Sequence, residues 1–413
     1  MTIPRLILTL IALSFLSAAL AQTTVRIMGY GGNQDPVIVA GLLNDVIADE
    51  LAAEGITVQY EPLQDYDPAI VNALSAGTAA DIFQLPSATA PGLIATGRLL
   101  PLDGLVDTEA FIPALIETYT IDGTLYGIPK DFNTLAVFYN EDLFDEAGVE
   151  YPNAEDTWET FAEKLRGVAA LGDDVYGACL GADFSRMGAF AYANGWEPLD
   201  EEGNTDLLDP AFVEAFEWFT GLVREGVAVQ PSDIGAGWPG DCLAGDNVGV
   251  ALEGAWMITF LNSSAPNLQY GTTLMPKAAT GDRGNFLFAG AWGVNADSPN
   301  RDAALKVLEL LTSEEAQQYT LETGLAIPSR TALSDSPFFA EETPQAQANL
   351  TIFEGVSDGN VFGFQFGAIG TDFLAPINNA LSAVMTGQQD VETALQSAQA
   401  ELDALSERAR TRQ

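Results

Sequence analysis

Three tryptophans sit beside residues too small to shield them. Trp238 lies in Gly-Ala-Gly-Trp-Pro-Gly (235–240), Trp256 follows Gly254 and Ala255, and Trp292 follows Gly290 and Ala291. An indole face next to glycine and alanine leaves room for a ligand to lie flat on it. That is the chemistry that recognises a molecule with apolar C–H faces and hydroxyl edges. It also needs a few directed polar groups converging on the same pocket. The polar candidates are Gln34, Asp35, Gln64, Ser87, Asp131, Asn133, Glu253 and Arg330, with Asp183 and Arg186 as further ones. For each, the competing role is ordinary loop solvation or capping. Trp256 and Trp292 are expected in loops. Trp158 and Trp218 fall on helical stripes and are expected in a core, while Trp196 fits either role.

What is missing narrows the chemistry further. The 413 residues contain no histidine, which removes Ser-His-Asp and Cys-His catalysis and His-containing zinc sites. Two cysteines are too few for a Cys-rich zinc or iron–sulfur site, so no cofactor or metal is expected. A ferric site would want clustered tyrosines and carboxylates, and no adjacent tyrosine pair stands in the candidate loops. Sixteen basic residues against 58 acidic ones, net charge −42, exclude nucleic acid as a partner. The acids are scattered, which describes a solvated surface; attraction of a cationic ligand is the functional alternative. Cys179 and Cys242 either form a disulfide closing a loop of about 60 residues or are two separate buried thiols. Cys242 is expected in a polar, glycine-rich loop (Pro239-Gly240-Asp241), where a free thiol would be exposed, and this favours the pair.

The elements that must position these residues alternate. Thr24–Met28 reads as a strand, followed by a glycine-rich loop and a helix carrying Val39, Leu42, Leu43, Val46 and Leu51. Ile56–Tyr60 and Ala80–Leu85 are further strands, with a helix between them that stops near Gly77. Such alternation predicts parallel, right-handed crossover units with ligands outside the carboxyl ends of the strands. Residues 30–35, 64–66 and 85–89 are therefore candidate site loops. Residues 127–134 read as a polar entry to a strand over Leu135–Tyr139, at a crossing between lobes. Helices follow, with Trp158, Phe161, Leu165 and Val168 on one stripe and Phe212, Phe216, Phe219 and Val223 on another. Val248–Leu252 is a strand, residues 271–276 are extended, and Val391–Leu405 is a helix. The length favours two lobes over one core.

Arg5, the apolar run Leu6–Leu16 and Ala19-Leu20-Ala21 together read as a secretory leader over 1–21, cleaved before Gln22. The run is short for a membrane span of roughly 20 residues. No cysteine lies near the cleavage point, so a freely diffusing periplasmic or exported protein is expected rather than a lipoprotein.

Several stretches in order resemble the family 1 extracellular solute-binding proteins of ABC importers, the group similar to maltose-binding protein. They are ADIFQLPSATAPGLIATGRLLPLD from Ala80, YGIPKDFNTLAVFYNEDLFDEAGV from Tyr126, NVGVALEGAWMITFL from Asn247, FAGAWGVNADSPNRDAALKVLELLTSEEAQQY from Phe288, GLAIPSR from Gly324, and the C-terminal helix. The resemblance implies an α/β, two-lobe periplasmic-binding-protein fold with a ligand cleft at a hinge. One lobe would comprise 22–131 plus about 277–331, the other 132–276 plus about 332–413. It implies no catalysis, a sugar as ligand, an ABC permease as membrane partner and a monomeric state. Trp256 matches a sugar-stacking tryptophan of the maltose-binding relatives. Asn133 stands where they carry a sugar-bonding glutamate, and Leu85, Ala88 and Thr89 stand where they carry Trp, Asp and Arg, which speaks against linear maltodextrin. Two alternatives stay beside this reading. A polyamine or cation binder would use Asp35, Asp131 and Glu253 with aromatic walls. A secreted glycoside hydrolase would need a catalytic carboxylate pair, and neither a distinguished pair nor an eightfold repeat is visible.

Overall fold

The computed structural model describes residues 22–410 other than 32–34, 201, 324–325 and 365. The leader expected at 1–21 lies outside the described residues. Two sheets organise the chain. The first has six strands in the order Ile327–Pro328, Gly127–Asn133, Phe288–Val294, Ile82–Pro86, Thr23–Tyr30, Ile56–Leu63. The second has five, in the order Tyr270–Thr273, Ala136–Asn140, Val250–Glu253, Ala178–Cys179, Ala228–Val229. Together with the helices on their faces, these make the mixed α/β architecture expected from the sequence.

Thr23–Tyr30 pairs in parallel with both Ile56–Leu63 and Ile82–Pro86, as the alternation of strands and helices requires. Val25, Ile27, Ile82 and Phe83 are all buried in the first core. The helix after Tyr66 ends at Gly77, whose φ of 70° supplies the left-handed turn. The single helix expected over 39–51 instead runs as Asp35–Gly41, a π-helical turn Leu42–Val46, and Ala48–Ala53. The interruption falls where Gly41 lies against Tyr319; a Cβ there would sit 2.0 Å from the phenol oxygen.

Residues 127–134 are more than an entry loop. Gly127–Asn133 is an interior strand of the first sheet, antiparallel to Phe288–Val294 on one side and to Ile327–Pro328 on the other. Its polar residues masked the pattern, because the strand is bulged: Asp131 faces Gly290 and Pro129 faces Ala291, leaving Lys130 as the extra residue. The chain then enters the second sheet at Ala136, leaves it after Thr273, and re-enters the first sheet at Phe288.

The second core is larger and richly aromatic. Trp158 and Trp196 are buried in it and Trp218 packs against it. Trp196 fixes its indole by donating to the Asp206 carbonyl at 2.8 Å. The C-terminal helix, Val391–Arg410, buries Leu395 and Leu402 against the helix Leu374–Met385.

Cys179 and Cys242 form a disulfide across 63 positions. Both are buried beside Val229 and Val248, so the expectation that Cys242 lies in an exposed loop is corrected: it is in the short helix Pro239–Leu243, turned inward. The bond ties that helix to Ala178–Cys179, an interior strand of the second sheet. Loop-closure entropy over this span is worth about 4 kcal/mol. Replacing both cysteines by alanine should therefore lower the urea midpoint substantially and raise the m-value, since the unfolded chain is no longer cross-linked, measured by fluorescence.

Candidate functional site

The carboxyl ends of the first sheet's strands bring one polar group together. Gln84 is buried in Ile82–Pro86. Its side-chain carbonyl accepts from the Tyr30 amide at 2.7 Å, and its NH2 donates to Asp35 at 3.0 Å. Asp35 lies 3.8 Å from the Lys130 ammonium, which also pairs with Asp131. The bulge turns Lys130 over the Trp292 ring, 5.9 Å from its centroid. Gly290 leaves space for this pair, since a Cβ would come within 2.8 Å of the Asp131 carboxylate. Burial pushes the Asp131 carboxyl above its ordinary range, against the pull of Lys130. Tyr30 closes one side, its ring 4.6 Å from that of Tyr66 and its hydroxyl donating to Asp67 at 3.1 Å.

A second group forms where the other sheet meets this one. Asp183 caps the helix Phe184–Ala193, accepting from the Ser185 amide at 2.9 Å. That places Arg186 one turn in, with its guanidinium donating to Asp183 at 2.8 Å and to Glu253 at 2.6 Å. Glu253 ends the strand Val250–Glu253 and is 0% exposed. The same carboxylate oxygen accepts from the Trp256 indole at 2.8 Å. Burial raises the Glu253 carboxyl, opposed by Arg186 and the indole N–H. Trp256 meets Phe288 edge to face at 5.2 Å, and the Arg186 guanidinium stands 5.8 Å and 5.6 Å from the two rings. Gly254 permits this: a Cβ there would be 2.6 Å from the Trp256 ring. Asn133 holds the turn by accepting from the Ala255 amide at 2.9 Å. Trp256 belongs to the second sheet's side and Phe288 to the first sheet, so this group spans both.

The structure thus gathers Asp35, Asp131 and Gly290 around Lys130, and Asp183, Glu253 and Trp256 around Arg186, with Asn133 bonded to the turn that precedes Trp256. The other described candidates stand apart from these two groups, save Trp292 under Lys130. Trp292 is not in a loop; it lies within the strand Phe288–Val294, paired with Gln84 and Ile128, and is 2% exposed. Ser87 is buried and accepts from the Ala289 amide at 3.2 Å. Gln64 is exposed and donates to the Gly31 carbonyl at 2.9 Å. Trp238 packs edge-on against Phe260 at 4.8 Å. The Arg330 guanidinium is engaged by the Thr312 carbonyl at 2.5 Å and lies over Phe111 at 4.9 Å. Gln34 lies outside the described residues. Lys130 and Phe288 were not singled out from the sequence. Lys130 carried a signal, as a base flanked by Pro129 and Asp131 in a chain with 16 basic residues. Phe288 carried none, being one of 22 phenylalanines.

Comparison with known proteins agrees with this architecture. A protein of Brucella abortus named as a binding protein is 25% identical, over 87% of this chain and 88% of its own length. The galactooligosaccharide-binding protein of Bacillus subtilis is 24% identical, over 78% of this chain and 76% of its own. Among solved structures, the GacH receptor of Streptomyces glaucescens, studied without ligand and with acarbose, superposes with a TM-score of 0.79 at 21% identity, covering 93% of this chain and 98% of that one. That likeness shows the two share a fold. The family model of the bacterial extracellular solute-binding proteins matches residues 47–348, and the chain belongs to that family.

Proposed function

We propose that this protein is the substrate-binding component of an ABC importer, and that it holds a neutral mono- or oligosaccharide between two lobes built on the two sheets. The observation that carries the reading is Trp256. Its ring is partly exposed, fixed at its indole N–H by Glu253 and at its edge by Phe288, where the two sheets meet. A preset aromatic face of this kind binds the C–H face of a sugar at little entropic cost. Asp35, Asp131 and Asp183 supply acceptors for hydroxyl groups nearby. Trp292 serves as the base on which Lys130 rests. The family, and relatives named for galactooligosaccharide, mannitol and arabinooligosaccharide, support a carbohydrate.

Both cations at the site are already neutralised, Lys130 by Asp35 and Asp131 and Arg186 by Asp183 and Glu253. A phosphate or carboxylate on the ligand would have to compete with these partners. Thermal-shift titration with neutral di- and trisaccharides, hexose phosphates and uronic acids tests this. A neutral sugar at a hundred times its dissociation constant should stabilise the fold by about 2.7 kcal/mol. Hexose phosphates and uronates should bind at least roughly tenfold more weakly, about 1.4 kcal/mol. No shift with any sugar would remove the carbohydrate reading, and a preference for the anions would overturn the charge argument.

Export through the leader at 1–21, docking of the closed form on a membrane permease and action as a monomer complete the proposal. Among the described residues no helix is long and apolar enough to cross a membrane.

A further inference from the structure

Three chain segments link the two sheets, and all three meet at one point. The first, between the strands Gly127–Asn133 and Ala136–Asn140, contains Thr134 and Leu135. The second, entering Phe288–Val294, contains Asn285. The third follows Ile327–Pro328 and leads into the helix Pro344–Glu354, which ends at Gly355. That helix packs against strands of both sheets, Tyr270–Thr273 and Ala136–Asn140 in one and Ile327–Pro328 in the other.

Asn285 laces the first two segments. Its side-chain oxygen accepts from the Leu135 amide at 2.8 Å, and its NH2 donates to the Leu135 carbonyl at 2.9 Å. The same oxygen also accepts from the Phe286 amide at 2.8 Å. Asn285 lies in the short strand Gly284–Phe286, paired in parallel with Asn360–Phe362, and its side-chain amide serves the Leu135 backbone, which falls between the ladders of the two larger sheets. Thr134 ties the first segment to the third by donating to the Ile352 carbonyl at 2.6 Å. Gly355 fills the remaining space: a Cβ there would stand 2.5 Å from the Thr134 hydroxyl and 2.9 Å from the Asn285 NH2. Its φ of −58° suits any residue, so glycine is required there by space rather than by backbone conformation. Asn285 is 2% exposed, which makes each of its bonds costly to lose unreplaced.

We infer that Thr134, Asn285 and Gly355 form the pivot on which the lobes turn and that they set the population of open and closed forms. The inference rests on the two-lobe reading proposed above. Rotation of one sheet against the other must pass through the segments that join them. A fixed point shared by all three confines the motion to dihedrals on either side of it. Ligand affinity then depends on these residues without their touching ligand, because the apparent dissociation constant scales inversely with the closing-competent fraction.

The test needs no ligand. Val71 and Leu208 are exposed, one on each sheet's side, and the native cysteines are consumed in the disulfide. Val71→Cys/Leu208→Cys mature protein, spin-labelled at both sites, gives the interlobe distance distribution by double electron–electron resonance. Gly355→Ala should displace or broaden that distribution. Asn285→Asp, which keeps both accepted bonds but sets a carboxylate oxygen against the Leu135 carbonyl, should do so too. Leu165→Ala, a cavity in the second lobe's core, is the control: it should lower the melting temperature and leave the distribution unchanged. If Gly355→Ala does not fold, Thr134→Val takes its place, removing the bond to Ile352 with similar bulk. Distributions in the pivot variants that match the control would overturn the inference. Because no sugar is present, that outcome is independent of whether the sugar panel succeeds.

Discussion

Trp256→Ala should lose affinity for the bound sugar by roughly 30- to 700-fold, about 2–4 kcal/mol, the loss typical of a central aromatic anchor. Isothermal titration of the mature protein with the sugar identified by thermal shift measures it. The stability cost should be smaller than at Trp292, because the ring is partly exposed; it comprises the edge contact with Phe288, the Arg186 guanidinium over the ring and the indole bond to the buried Glu253, which keeps Arg186. Trp256→Phe should recover part of the affinity, since it keeps a stacking face and loses the indole N–H. Trp292→Ala provides the contrast. That ring is buried in the first core, and large-to-small substitution at such a site costs about 3–5 kcal/mol of stability. The two variants should separate cleanly, one in affinity and the other in melting temperature. If Trp256→Ala binds as the wild type does, the ligand does not stack there, and the reading of this junction as the binding face is lost.

The second large effect is on stability. Glu253→Ala removes a fully buried carboxylate that accepts from both Arg186 and Trp256. The guanidinium, itself mostly buried, keeps Asp183 and the Ser185 hydroxyl but loses its other carboxylate. Breaking a buried pair from one side costs about 3–5 kcal/mol, and the remaining bond to Asp183 places this case near the lower end. Urea denaturation followed by tryptophan fluorescence reads the change as a lower midpoint at constant slope. The discriminating experiment is the double variant Glu253→Gln/Arg186→Met, which leaves no buried charge unpaired. It should be more stable than Glu253→Ala alone. Equal losses in single and double variants would mean that packing around Glu253 matters and its charge does not.

How far the site was legible from sequence follows from which contacts are local. Glu253, Gly254 and Trp256 lie within four residues of one another at a strand-to-helix turn, so their proximity could be read directly. Asp183 and Arg186 are likewise one helical turn apart. Nothing local joins the two sets: Arg186 reaches Glu253 over 67 positions. Asp35 reaches Gln84 over 49. Lys130 was overlooked because a bulge, which is a property of two strands in register, decides where it points. Trp292 was misplaced for the opposite reason. Its flanking Gly290 and Ala291 read as loop residues, yet an interior strand uses them to let Lys130, Asp131 and Gly127 pack closely.

By itself the sequence determined the absence of histidine chemistry, the acidic surface, the alternating strands and helices of the first sheet, and the helical stripes of the second core. These follow from composition and from periods of two and 3.6 residues, which any short window of chain contains. Only the tertiary structure decided which polar residues face one another, that Cys179 and Cys242 are joined, and that Thr134, Asn285 and Gly355 meet. Those are contacts between residues tens to hundreds of positions apart. Their free energy is realised only once both cores have formed, so no local pattern carries them.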